Sequence, residues 1–91
     1  MAVYQIEFKA TFIKSLRKIT SVERDRINRW IAKNLHDTSS PRAHGKALVG
    51  SSKGLWRYRV GKYRIIAQIQ DKELILLMID VASRGQVYKN L

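Results

Sequence analysis

The sequence contains no cysteine and a single proline among its 91 residues. The lack of cysteine excludes disulfides, thiol nucleophiles and thiolate metal ligands. Two histidines, His36 and His44, are too few to make a zinc site on their own. No apolar run approaches the ~20 residues that cross a bilayer, and the first eight residues lack the pattern of a secretory signal. We therefore expect a cytoplasmic protein with no membrane partner.

Acidic side chains are also scarce, because seven aspartates and glutamates face 18 lysines and arginines, a formal net charge of +11. No acidic residue occurs in residues 38–70 or in residues 81–91. Apolar residues make up 45% of the chain, which is typical of a globular domain and not of a disordered basic tail. The acid-free block favours binding of a polyanion such as nucleic acid, while an acidic protein or an anionic surface stays open.

Several hydrolytic site types have no support in the sequence. The seven acidic residues show no clustered metal-ligand pattern, which argues against a two-metal nuclease. The glycine-rich stretch at residues 50–54 precedes a predicted strand and not a helix, so it is no phosphate-binding loop of the usual kind. His36 and His44 leave an acid–base histidine pair open, although isolated surface histidines are the commoner case.

The spacing of apolar residues predicts an α+β domain over residues 1–91. The predicted elements are a strand at 3–8, helices at 10–19 and from a cap at Thr20 to about 35, and strands at 55–60, 63–70 and 73–81. Thr20 and Glu23 fit a capping box. The last strand is apolar almost throughout, which is typical of a central strand covered on both faces. We expect the order β-α-α-β-β-β, a helical hairpin packed on a small twisted, antiparallel-rich sheet.

Three arginines in the strand region form the main candidate site. Arg57 and Arg59 are two residues apart on one strand, so they share a face at a separation of about 7 Å. Arg64 follows the predicted turn at Gly61 and Lys62. Guanidinium groups bind phosphate oxygens in a fixed fork geometry, so this group is suited to a polyanion. The alternative is an ordinary solvated face of the sheet.

Three segments resemble a known family. They are PRAHGKAL at residues 41–48, GLWRYRVGKYRII at 54–66 and RGQVY at 84–88. Together they resemble the RelE/StbE branch of the RelE/ParE superfamily of toxins from type II toxin–antitoxin systems. The resemblance implies a RelE-like microbial RNase fold and a toxin that enters the ribosomal A site and cuts mRNA. The cut needs no metal or other cofactor, since the ribose 2′-OH attacks the adjacent phosphate and leaves a 2′,3′-cyclic phosphate.

The resemblance also assigns site residues. The implied catalytic residues are Arg59, Arg64, Arg84 and Tyr88, and the expected RNA-binding residues are Arg57, Lys46, Lys53, Lys62 and Lys89. Arginine stays charged and is a poor proton carrier, so Tyr88 is the candidate that abstracts the 2′-OH proton or orients the ribose. Many relatives have histidine directly before the arginine of the tail, where this chain has Ser83.

Three functions are compatible with this resemblance. The first is the ribosome-dependent mRNA endoribonuclease, the second is a ParE-like inhibitor of DNA gyrase, and the third is a non-catalytic member that binds nucleic acid or antitoxin only. The resemblance implies a RelB-like antitoxin as the partner, and the net charge of +11 predicts that this antitoxin is acidic and folds on the toxin surface.

Overall fold

The computed structural model describes residues 2–49 and 54–83. Its elements are β1 (Gln5–Phe8), α1 (Ala10–Arg17), α2 (Ser21–Asn34), a 3₁₀ turn (Pro41–Ala43), β2 (Lys46–Ala47), β3 (Trp56–Val60), β4 (Tyr63–Gln70) and β5 (Ile75–Ser83). The predicted order is confirmed, with one addition. The short strand β2 lies where the sequence indicated only an apolar segment, because two residues are too few to show a strand periodicity.

The described strands form one mixed sheet in the order β1-β5-β4-β3-β2. β1 pairs with β5 in parallel, and every other neighbouring pair is antiparallel. α1 packs along β5, and α2 packs against β3. The α+β class with two helices on an antiparallel-rich sheet is therefore confirmed.

β5 is an interior strand, between β1 and β4, as its continuous apolar run predicted. Leu76 and Met78 on one face are fully buried, whereas Leu77 and Ile79 on the other face are half-buried. The coverage of the two faces is therefore unequal.

The core forms where the apolar stripes of the helices meet this sheet. Phe12 of α1 and Ile27 of α2 are fully buried, and Ile31 is nearly so. They contact the buried residues Tyr58, Val60, Ile65, Ala67, Leu76, Met78 and Val81 of the sheet. Burial of each large apolar side chain contributes roughly 1.5–3 kcal/mol to the stability of the fold. This single layer therefore contributes most of the free energy that favours folding.

The predicted capping box at the start of α2 is only half right. Thr20 is the N-cap residue, but its side chain makes no capping hydrogen bond. The Glu23 carboxylate instead lies 3.9 Å from the Arg26 guanidinium, one turn further along the helix. Competition from a positive partner three residues away explains why Glu23 does not reach back. None of the described helices is long and apolar enough to cross a membrane.

Candidate nucleic-acid interface

Alternation along β3 separates the core residues from the arginines. Tyr58 and Val60 are buried toward the helices, while Arg59 is exposed and Arg57 is half-exposed on the opposite face. The predicted common face of Arg57 and Arg59 is therefore confirmed. Arg64 of β4 is the direct cross-strand partner of Arg59, and directly opposed residues project to the same side of a sheet.

These three arginines open onto one cavity of about 370 Å³, and no acidic residue is among those that line it. The lining residues are Trp30, His44, Gly45, Lys46, Arg57, Arg59 and Arg64. Lys46 of β2 is the cross-strand partner of Arg57. The sheet register therefore produces two opposed cationic pairs, Lys46 with Arg57 and Arg59 with Arg64. Like charges placed directly opposite each other repel, and an anion bound among them would reduce that repulsion.

The loop before β2 forms one wall of the cavity and is anchored to β3 by two aromatic side chains. The Tyr58 hydroxyl donates to the Pro41 carbonyl at 2.5 Å. Burial raises the pKa of Tyr58, so this hydroxyl keeps its proton. The indole nitrogen of Trp56 donates to the His44 carbonyl at 2.7 Å. These two bonds fix the backbone on both sides of the turn that ends at His44.

The outer side of the same loop is held by an ion pair. Both terminal nitrogens of the Arg42 guanidinium donate to the Asp71 carboxylate, each at 2.9 Å. The Tyr4 hydroxyl donates to the same carboxylate at 2.6 Å. The bond from Arg42, and then the bond from Tyr4, lower the pKa of Asp71 to about 2. The carboxylate stays charged over the physiological range and joins the loop to the β4–β5 turn.

Gly45 lets the loop approach β3 closely enough to complete the cavity. Its φ is +80°, and a Cβ at this position would lie 2.1 Å from the Arg57 carbonyl oxygen and 2.7 Å from the Trp56 indole nitrogen. No side chain fits there. The glycine that follows His44 therefore sets the distance between the loop and the arginine strand.

The other sequence-predicted site residues do not line this cavity or cannot be placed. Lys62 lies in the β3–β4 turn, with its Nζ 5.5 Å from the centre of the Tyr63 ring, and it lines a second cavity of about 390 Å³. Lys53, Arg84, Tyr88 and Lys89 lie outside the described residues.

Ser83 belongs to that second cavity as well. In the β4–β5 register Ser83 is opposite Tyr63, whereas Arg64 is opposite Ala82. Successive residues of a strand project to opposite faces. The Ser83 position therefore belongs to the face away from Arg59 and Arg64.

Sequence reasoning treated His44 as an ordinary surface histidine, and the structure places it in the wall of the arginine cavity. Its ring lies edge-on to Trp30, with 5.8 Å between ring centres. No local sequence signal marks this position, because it depends on the contacts of His44 with Trp30 and Trp56. No group of three or more histidine, aspartate or glutamate side chains that could hold a metal occurs within residues 2–49 and 54–83.

One family model matches most of the chain. The family model of the ParE toxin of the type II toxin–antitoxin system parDE matches residues 6–88. No curated protein sequence matches the chain significantly.

Solved structures of similar proteins share the fold. The toxin–antitoxin complex RelBE2 of Mycobacterium tuberculosis contains a chain with 23% identity and a TM-score of 0.78, and the match covers 90% of this chain and 99% of that one. The isolated RelE toxin of E. coli has 24% identity and a TM-score of 0.71, and the match covers 97% of this chain and 94% of that one. The RelB–RelE complex of Methanococcus jannaschii contains a chain with 23% identity and a TM-score of 0.68, and the match covers 92% of this chain and 96% of that one. At these identities the likeness establishes the fold, and the family model, which spans most of the chain, establishes the family. The chain belongs to the ParE toxin family of type II toxin–antitoxin systems, within the RelE/ParE superfamily.

Proposed function

We propose that this toxin is a ribosome-dependent, metal-independent mRNA endoribonuclease that cuts the message in the A site. The observation that carries the proposal is the cavity lined by Arg57, Arg59 and Arg64, whose described lining residues include no aspartate or glutamate. A surface that binds an acidic protein needs only positive charge. A phosphodiester that is being cleaved concentrates negative charge at one point, and two opposed pairs of cations in one concave site are suited to stabilise that charge.

The proposed chemistry uses the arginines as fixed charges. When O2′ of the ribose attacks phosphorus, negative charge gathers on the two non-bridging oxygens of the pentacoordinate phosphorane. Arg59 and Arg64 are opposed on neighbouring strands and line one cavity, and in this proposal their guanidinium groups stabilise this charge. Arg57 and Lys46, one pair further along the sheet, hold the flanking phosphate. The spacing of about 7 Å between alternate strand residues is similar to the separation of adjacent phosphates.

The tail completes the proposal by resemblance to the family, and the remaining lysines complete it by their charge. Arg84 adds a further charge at the phosphorane, and Tyr88 abstracts the 2′-OH proton or orients the ribose. Lys53, Lys62 and Lys89 contact RNA outside the reaction centre. The products are a 2′,3′-cyclic phosphate and a 5′-OH.

The experiment is cleavage of a defined mRNA on programmed ribosomes, with the same RNA free in solution as the control. New 5′ ends inside the A-site codon that require ribosomes would support the proposal. Intact mRNA with a toxin that is folded and free of antitoxin would refute it.

A ParE-like inhibitor of DNA gyrase is the second candidate, because the family model that matches the chain is that of the ParE toxin. Such an inhibitor needs a binding surface and no reaction centre. Inhibition of gyrase supercoiling by toxin that leaves programmed mRNA intact would favour it.

We also propose an acidic antitoxin as the partner of the arginine face. Several of the similar solved structures, including RelBE2 of Mycobacterium tuberculosis and the RelB–RelE complex of Methanococcus jannaschii, are toxin–antitoxin complexes. Arg59 is exposed in the cavity, and Lys72 is an exposed cation in the β4–β5 turn. Arg59→Glu should therefore weaken antitoxin binding and its dependence on salt more than Lys72→Glu, which makes the same charge change elsewhere. Equal effects of the two variants in a titration at 50 and 300 mM salt would contradict this picture.

A further inference from the structure

We propose that His44 is the proton acceptor of the cavity, the group that takes the proton from the attacking 2′-hydroxyl. The inference rests on the proposed endoribonuclease function and deepens it. With His44 in this role, Tyr88 is left with orientation of the ribose. The basis is the position of His44 in the wall that faces the arginines.

The fold places the His44 ring at the cavity on a fixed backbone. Its carbonyl accepts the Trp56 indole hydrogen bond, and its ring lies edge-on to Trp30 of α2. In the β2–β3 pairing Lys46 is opposite Arg57. His44 lines the same cavity as Lys46, Arg57, Arg59 and Arg64. The imidazole and the proposed phosphorane contacts therefore belong to one concave site.

The chemistry of the cavity also singles out this side chain. The other described lining residues are lysine, arginine, tryptophan and glycine. Lysine and arginine side chains ordinarily titrate above pH 10, and the remaining two do not exchange protons in this range. Imidazole is the side chain in this set that serves as a proton acceptor in acid–base catalysis. Its side chain is exposed, so a nucleotide can reach it.

The proposed step is balanced as follows. The neutral imidazole of His44 takes the 2′-OH proton while O2′ bonds to phosphorus, and Arg59 and Arg64 hold the phosphorane oxygens. The P–O5′ bond then breaks with its electron pair on O5′, which takes a proton from water. The imidazolium returns its proton to the hydroxide formed in this way, and His44 is neutral again.

The second histidine serves as a matched control. His36 is exposed like His44, but it pairs with Asp37, with 3.3 Å between Nε2 and the carboxylate, and it lines a different cavity beside β1. A change at His36 removes the same kind of group from the same protein. It does not touch the arginine site.

The test measures single-turnover cleavage of mRNA on saturating programmed ribosomes by the full chain, by His44→Ala and by His36→Ala. We expect His44→Ala to slow the cut about 100-fold or more, within the range of general base catalysis, and His36→Ala to leave the rate unchanged. Added imidazole should raise the cleavage rate of His44→Ala at least 10-fold, because a free base can enter the exposed site. A merely structural role for the ring would not be rescued in this way.

The dependence of the rate on pH gives an independent readout. Among residues 2–49 and 54–83, the charged groups that line the cavity with His44 are Lys46 from β2, Arg57 and Arg59 from β3, and Arg64 from β4, and α2 contributes the indole of Trp30. Arg42, in the same turn, is held by Asp71. Side chains of these cationic types keep their charge between pH 5.5 and 8. The wild-type rate should therefore rise with pH through one titration that His44→Ala lacks.

The outcomes separate this inference from the proposed function. If the wild-type toxin cuts mRNA and His44→Ala cuts equally fast, the inference is overturned and the proposed function stands. The same holds if imidazole does not restore the cleavage rate that His44→Ala has lost. If the wild-type toxin cuts nothing on ribosomes, both are overturned.

Discussion

Replacement of Gly45 by alanine tests whether the loop before β2 is held as closely to β3 as the structure indicates. At φ +80° an alanine is strained, and its Cβ would lie 2.1 Å from the backbone oxygen of Arg57. A backbone oxygen within a β-ladder cannot move aside as the end of a flexible side chain can. The loop must therefore retreat, which breaks the bond from Trp56 to the His44 carbonyl.

The magnitude follows from these three effects. The backbone strain costs roughly 1–2 kcal/mol, the displaced packing roughly 1–3 kcal/mol, and the lost hydrogen bond about 1 kcal/mol. The variant should lose about 3 kcal/mol or more, which is a large share of the roughly 5–14 kcal/mol expected for a domain of this size.

Gly54→Ala is the matched control. Gly54 also has a positive φ, +96°, but no atom of residues 2–49 and 54–83 outside its chain neighbours lies within 4 Å of a Cβ at that position. This variant should show the strain alone, about 1–2 kcal/mol. With a urea m-value of about 1–1.5 kcal/mol/M, a difference of about 2 kcal/mol between the two variants separates their unfolding midpoints by roughly 1.5 M. If Gly45→Ala unfolds at the same urea concentration as Gly54→Ala, the close approach is wrong.

Two further predictions concern the bonds that hold the loop. Tyr58→Phe should lower the free energy of unfolding by about 1–2 kcal/mol, measured by urea titration, because the Pro41 carbonyl loses its buried donor; an unchanged midpoint would contradict this. The folded-state pKa of Asp71 is lowered from 3.8 to about 2, so its bond to Arg42 stabilises the fold above about pH 4 and is lost as the pH falls toward 2. Wild-type protein should therefore be more stable than Asp71→Asn at pH 7 and lose that advantage between pH 4 and 2, and a constant gap in urea midpoints across this range would contradict the pairing.

Much of the fold could be predicted from local patterns. The turn residues on either side of β4, Gly61-Lys62 and Asp71-Lys72, predicted its bounds to the residue, at Tyr63–Gln70. The helical stripe that contains Ile27 and Ile31 defined α2 to within a residue or two at either end. The stripe is a local consequence of a core on one side. β2 could not be predicted, because two residues are too few to show a periodicity. The parallel pairing of β1 with β5 could not be predicted either, because it joins segments about 70 residues apart in the sequence.

In the candidate site, too, local patterns predict some positions, and contacts between distant segments determine others. Arg57 and Arg59 were predicted to share a face because the pleat alone places them there. The position of Arg64 opposite Arg59 depends on the length of the turn, which the sequence also displays. The place of His44 depends instead on tertiary contacts with Trp30 and Trp56. No local pattern around His44 contains those contacts, so only the folded chain brings it to the arginines.

The central claim is that the opposed arginines stabilise the charge of a phosphodiester in reaction. The most direct measurement is the single-turnover rate of mRNA cleavage on saturating programmed ribosomes for wild-type toxin, Arg59→Gln and Lys72→Gln. Removal of one fixed donor from such a site costs about 100- to 1000-fold, so Arg59→Gln should be slower by that factor while Lys72→Gln, a charge lost outside the cavity, keeps the wild-type rate. Wild-type cleavage by Arg59→Gln, or equal losses in the two variants, would contradict the claim.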